Sequence, residues 1–346
     1  MVYNHESQMG HRLNPSAPTW SDEWATRPFA PLEALGNQHP RGMATQTQNL
    51  AHRIILPFSG GINFIMLVVR NQVIELVHEL SGKPNAFGEL EESVSAFSPA
   101  QLLEALLECG VIPEAFDHDS SEEKLWAKYC DILLAMALTA LGVKAKVIRM
   151  RGNSADVQAE GPNYTLVGDA KAFRLSRTAK NQKDFKIAAL DDWRKADTYA
   201  CLVGPLTQFP NTRSQIYEQA VRRNVTLISY THLRFVLEHG SSASVEILWK
   251  IGSNKAATGI AVEYWQGVDE TVVEVCGKTI NELEATKSLE LEKLEELGNE
   301  GIGYWQNRIE AYQNLSQKEA VAQLIKSEKI QAKIQTIRKA ITWAKV

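Results

Sequence analysis

Apolar residues recur at a helical spacing over residues 62–80 until Gly82, Pro84 and Gly88 interrupt them, and a second helical run follows over 99–109. Ser120 with Glu123 three residues on has the form of a capping box. Behind it Leu125, Tyr129, Ile132, Leu133, Met136 and Ala140 repeat at helical spacing as far as Gly142. The pattern then switches. Residues 143–151 alternate like a strand, as do 156–160 and 165–173, the last two joined at Gly161-Pro162-Asn163, so three strands form a meander. A helix over 184–195, a short apolar strand over 199–203, a helix over 212–223 and a strand over 225–230 complete a parallel crossover. This order predicts an α/β core with a mixed β-sheet flanked by helices.

The two ends differ from this middle. Residues 1–45 hold Pro15, Pro18, Pro28, Pro31 and Pro40 with little periodicity and predict a loosely ordered N-terminal extension. Residues 46–240 form the predicted core, with its meander at 143–173. Beyond Gly240 residues 249–275 are ambiguous, while 279–345 are dense in Glu, Lys, Gln and Leu with recurring apolar positions, so 241–346 reads as a helical C-terminal region. Ser316 and Glu319 form a second capping box there.

At 346 residues and 44% apolar the chain has enough material for a sizeable core. A formal net charge of -4 argues against coating nucleic acid through bulk charge, so any such site must be a local basic patch. Cys109, Cys130, Cys201 and Cys276 lie far apart with no CxxC pair, which suits reduced thiols and a cytoplasmic location. With no apolar leader and no run near ~18 apolar residues, neither secretion nor a membrane is expected.

Asp169-Ala170-Lys171 closes a strand-like run, and Asp156 lies upstream across the hairpin. In a strand, residues two apart share a face, so Asp169 and Lys171 point the same way, whereas on a helix they would diverge by roughly 200°. A four-residue loop would pair Glu160 with Thr165 and set Asp156 opposite Asp169 with Cβ atoms roughly 5 Å apart. A three-residue loop would put the acids on opposite faces. Two such carboxylates repel unless a cation sits between them, and Mg2+ suits an oxygen site beside a phosphate. Lys171 would then orient or deprotonate a water. A (D/E)xK triplet also arises by chance, as Glu122-Glu123-Lys124 does here. Glu123 itself reads either as a capping residue or as a third metal acid leaning in from the adjacent helix. No GxSxG frame joins the Ser, His and Asp residues.

Lys171, Arg174, Arg177, Lys180, Lys183 and Lys186 put a cation at every third position, with Asp184 the sole acid among them. Most charge runs are solvated faces. On an α-helix these cations would spiral, because a period of three drifts about 60° per step. An irregular segment lying along double-stranded DNA would use them better, the cations meeting phosphates while Asn181 and Asp184 reach base edges.

Gly152-Asn153, Asp156-Val157, Asp169-Ala170-Lys171 and above all the continuous stretch from Phe173 through Arg177-Thr178-Ala179-Lys180-Asn181-Gln182-Lys183-Asp184 to Lys186 resemble the HindIII restriction endonuclease family. The likeness runs from about Ser98 to Glu319-Ala320, and residues 1–95 depart from it. It implies a restriction-endonuclease-like core of the PD-(D/E)xK superfamily, with Asp156 as the first acid, Asp169 as the second and Lys171 as the motif lysine. Ala155 stands in place of the superfamily's proline. The resemblance further implies that Ala179, Asn181, Lys183 and Asp184 lie near bases of an AAGCTT-like palindrome, cut by a magnesium-dependent homodimer. The expectation is therefore a type II deoxyribonuclease leaving 5′-phosphate ends, its C-terminal helices pairing subunits or embracing DNA. Two rivals share the scaffold: a non-catalytic DNA-binding protein and a structure-specific repair nuclease.

Overall fold

The computed structural model describes residues 62–149, 154–177, 184–194, 198–240, 245–254, 258–328 and 330–343. The expected extension over 1–45 and the cations Lys180 and Lys183, with Ala179 and Asn181 between and beside them, lie outside the described residues. Four helices lead in: α1 (Ile62–Leu80), α2 (Ala86–Ser95), α3 (Pro99–Glu108) and α4 (Ser121–Ala140). A mixed sheet follows, built from β1 (Lys144–Val147), β2 (Val157–Glu160), β3 (Thr165–Ala170), β4 (Tyr199–Gly204) and β5 (Val225–Ser229). The strands lie in chain order, with β1, β2 and β3 antiparallel and β3, β4 and β5 parallel. Helices α5 (Ile187–Arg194) and α6 (Gln215–Arg223) make the two crossovers.

Helix α4 is the centre of the fold. Its apolar residues, Trp126, Tyr129, Ile132 and Leu133 among them, are buried where it packs on α2 and on β1, β2 and β3. Strands β4 and β5 are buried at every position, as expected for a parallel sheet covered on both faces. Helices α7 (Tyr230–His239), α8 (Ala261–Cys276) and the 34-residue α9 (Ile280–Gln313) close the structure, α9 packing on α3, α7 and α8. Beyond it α10 (Gln317–Ser327) and α11 (Ile330–Trp343) pack on each other, and the Ser316–Glu319 capping box is present.

Several elements differ from the sequence pattern. Gly88 lies inside α2 rather than ending a helix: Leu90 and Val94 are buried, and their packing outweighs a glycine penalty of about 1 kcal/mol. Strand β1 stops at Val147, although the Ile148 N–H still reaches the Asp156 carbonyl at 2.8 Å. Helix α7 follows β5 with no loop between them, since the Ser229 hydroxyl accepts the His232 N–H at 3.2 Å and caps the helix directly on the strand end. At α4 only half of the expected capping box forms. Ser120 Oγ accepts the Glu123 N–H at 3.1 Å, but the Glu123 carboxylate takes the Asp119 N–H at 2.5 Å instead of that of Ser120.

Candidate active site

The β2–β3 hairpin pairs Glu160 with Thr165 and Val157 with Gly168, and the Gly161 N–H meets the Tyr164 carbonyl at 2.9 Å. This is the four-residue-loop register. One further step sets Asp156 opposite Asp169, the last position but one of β3, and carboxylate oxygens of the two lie within 4.8 Å of each other. Lys171 continues the strand: its N–H donates to the Val203 carbonyl at 2.8 Å and its carbonyl accepts the Tyr230 hydroxyl at 2.9 Å. Held at both backbone ends, it places Nζ 2.6 Å from Asp169 Oδ1.

A third acid enters from α4. Asp131 brings a carboxylate oxygen within the same 4.8 Å of Asp156 and Asp169, and both Asp131 and Asp169 are almost fully buried. Lys128, one turn earlier on the same helix, donates from Nζ to Asp131 Oδ2 at 2.9 Å and also to Asp156 Oδ1. Burial, then the nearby Asp156 charge, pushes the Asp131 carboxyl up to about 8. Burial raises the Asp169 carboxyl too, against the pull of Lys171. Burial alone would lower the Lys128 ammonium, but Asp131 and Asp156 together outweigh it and hold it above its ordinary value.

Glu123 is not in this group. It sits about 12 Å along the helix from Asp131, eight residues away, where it caps the N-terminus and pairs with Arg174 Nε at 3.3 Å. The helix does bring an acid to the two strand aspartates, but from its buried middle. The signal was an acid among apolar neighbours, Cys130, Ile132 and Leu133, with a lysine three residues before it.

The basic segment is tied to the protein where it is described. Arg174 also donates to the Pro113 carbonyl at 3.3 Å, and its side chain is largely buried. Arg177 pairs with Asp184 and lies over the Phe173 ring at 5.0 Å. Between them the Ser176 N–H and hydroxyl donate to Glu114 at 3.0 and 2.7 Å, and Trp305 Nε1 of α9 donates to the same carboxylate at 3.0 Å. Lys186 is exposed, adopts a left-handed φ of 44°, and lies near enough to Asp169 to favour its ionised form. The segment's described parts, 171–177 and 184–186, contain no α-helix, and there Arg174, Arg177 and Asp184 serve first to shape the chain. Tyr304, Trp305 and Tyr312, at core-like spacing, lie on α9 with Trp305 and Tyr312 about half exposed.

The model of the family described as HindIII restriction endonuclease matches residues 68–341. The Type II restriction enzyme HindIII of Haemophilus influenzae (strain ATCC 51907 / DSM 11121 / KW20 / Rd) is 35% identical over 297 residues, covering 80% of this chain and 86% of that protein. The chain belongs to the HindIII restriction endonuclease family. As a family member it is a site-specific deoxyribonuclease, a hydrolase of a restriction system, and every acid and cation described above falls within the matched span.

Type II restriction endonucleases generally use divalent metal ions, and the aspartate cluster suits one. Its donors are all carboxylate oxygens, the set a hard cation takes. Lys171 Nζ lies 2.5 Å from Asp169 Oδ2, yet burial still raises the proton affinity of two of the three acids, so their ammonium partners do not fully offset the loss of water. Among the described residues the other group of this kind, His118, Asp119 and Glu123, is mostly exposed at a helix cap. No helix among the described residues is long and apolar enough to cross a membrane.

Proposed function

We propose that this family member is a cytoplasmic, homodimeric type II enzyme that uses Mg2+ to cut both strands of a short AAGCTT-like palindrome in double-stranded DNA. The convergence of Asp131, Asp156 and Asp169 beside Lys171 carries the reading. Asp156 and Asp169, joined by Asp131, would hold the ion. When bound, the ion polarises the phosphoryl group, makes hydroxide accessible near neutral pH and stabilises the leaving oxygen. Lys171, fixed by β4 and Tyr230, orients the attacking water and balances charge on the phosphate. The water oxygen bonds to phosphorus, the P–O3′ bond breaks and the 3′-oxygen takes up a proton, leaving 5′-phosphate and 3′-hydroxyl ends. Ala179, Lys180, Asn181 and Lys183 remain the proposed base- and phosphate-reading positions, with Arg174, Arg177, Asp184 and Lys186 framing them.

A two-fold dimer matches a palindrome by symmetry. The face for it is offered by the C-terminal helices, where Ile302, Ile309, Val321, Leu324 and Ile337 are exposed. Incubating a sequenced plasmid with the purified protein and Mg2+ tests the whole reading. The expected result is a set of discrete fragments whose sequenced ends share one palindrome and carry 5′-phosphates. A retarded band without cutting would favour a binding protein, and cutting only at nicks, flaps or mismatches a repair nuclease.

A further inference from the structure

The aspartate cluster carries two ammonium groups that are held in different ways. Lys171 is fixed by its backbone and contacts Asp169 alone among the three acids. Lys128 stands on α4 with its side chain 34% exposed, and its Nζ spans Asp131 and Asp156. Those two carboxylates are part of the group whose oxygens lie within 4.8 Å, the more buried of the two such groups among the described residues. A divalent ion taking oxygens from all three acids would compete for the lone pairs to which Lys128 now donates.

Charge points the same way. A divalent ion needs all three carboxylates ionised, and in that state the two ammonium groups in hydrogen-bond contact, Lys171 and Lys128, leave one negative charge unmet. Adding a divalent ion with Lys128 in place would leave one positive charge in excess, and removing Lys128 from that assembly brings the sum to zero. In a site this buried, an uncompensated charge of either sign is costly. Lys128 can leave at little cost, because a lysine stem can stay on the helix surface while its head turns to water. Lys171 has less room to turn to water, its side chain being 18% exposed against 34% for Lys128.

We infer that Lys128 is a place-holding counter-ion: it keeps Asp131 and Asp156 together in the metal-free enzyme and is exchanged for the divalent ion when that ion enters. The inference rests on reading the cluster as a divalent-ion site. It makes Lys128 a positioning residue that sets metal affinity, and gives the site a built-in competitor that Lys171 does not supply.

The test is calorimetric titration of the DNA-free protein with Mn2+ alone, on the wild type, Lys128→Met, Lys128→Arg and Asp169→Asn. Lys128→Met is expected to bind Mn2+ about tenfold more tightly than wild type. Lys128→Arg, which keeps the charge, should stay within about threefold of wild type, and Asp169→Asn should lose most of its affinity. Lys128→Met binding no more tightly than wild type, with Asp169→Asn still defective, overturns the inference and leaves the metal site standing. Binding unaffected in Asp169→Asn, or absent from wild type and Lys128→Met alike, overturns the site and the inference together. A second measurement needs no variant: acetylation of Lys128 in the wild type, followed by mass spectrometry, should speed up when Mn2+ is added. An unchanged or slower rate at saturating Mn2+ counts against displacement.

Discussion

Helix α4 presents two acidic groups, one at its N-terminus and one in its middle, and in both the ligand atoms of three residues lie within 4.8 Å. The first, His118, Asp119 and Glu123, is built from neighbours in sequence. The Asp119 N–H, His118 and Arg174 satisfy the Glu123 carboxylate, and the histidine and Asp119 are largely exposed. The second, Asp131, Asp156 and Asp169, draws on a helix and two strands, and burial raises the carboxyls of Asp131 and Asp169 despite the lysines beside them. Closeness of carboxylates therefore does not distinguish a cap from a cation site. What separates them is burial combined with incomplete neutralisation.

The comparison can be broken most sharply at Asp169. Asp169→Asn is expected to lower plasmid cleavage by about 10²–10³-fold or more while leaving a metal-independent gel shift with duplex DNA intact. Cleavage at the wild-type rate would remove the strand aspartates from catalysis. Asp131→Asn is expected to weaken Mn2+ binding and cleavage about 10–100-fold, as for a residue supporting a metal from a neighbouring element. Metal affinity equal to wild type would return Asp131 to a structural role.

A third acidic group sharpens the contrast by pH. Glu108 is buried on α3, facing Lys293 of α9, Arg70 of α1 and its own-helix neighbour Glu104, and burial raises it from 4.5 to about 8. A carboxyl that binds its proton more tightly folded than unfolded contributes fully below the unfolded value, and that contribution drains away as pH climbs toward the folded one. Each pH unit in that window costs up to about 1.4 kcal/mol. Glu108→Gln should flatten the fall in thermal stability between roughly pH 5 and roughly pH 8. Parallel melting curves for variant and wild type across that range would contradict the assignment. The smallest effect belongs to the cap: Glu123→Gln should cost about 1 kcal/mol of stability and leave Mn2+ affinity unchanged. A large loss of affinity would bring Glu123 into the metal site after all.

How far this arrangement is legible in the chain depends on how locally each part is specified. The β2–β3 register follows from alternation and a Gly-Pro-Asn turn, so the facing of Asp156 and Asp169 is written in the hairpin itself. Asp131 is twenty-five residues upstream of Asp156, and only the packing of α4 on the sheet brings it in. Glu123, expected as a cap or as a third acid from that helix, sits at its N-terminal cap, while the acid that reaches the strand aspartates is Asp131. The basic spacing singles the segment out, but a run of cations carries no sign of which ones Glu123 and Asp184 will claim. Helix α7 is hidden because its cap, Ser229, is also the last residue of a strand.

Glu114 has one further consequence. Its carboxylate is gripped from one side by the turn at Ser176 and from the other by the indole of Trp305. Gly301, one helical turn before Trp305, lies against the same side chain, where an added Cβ would stand 3.1 Å from Glu114 Cγ. The long C-terminal rod is thereby bolted to the start of the basic segment through a single shared acid. Sliding or tilting of that rod must either break the indole bond or drag the turn along with it.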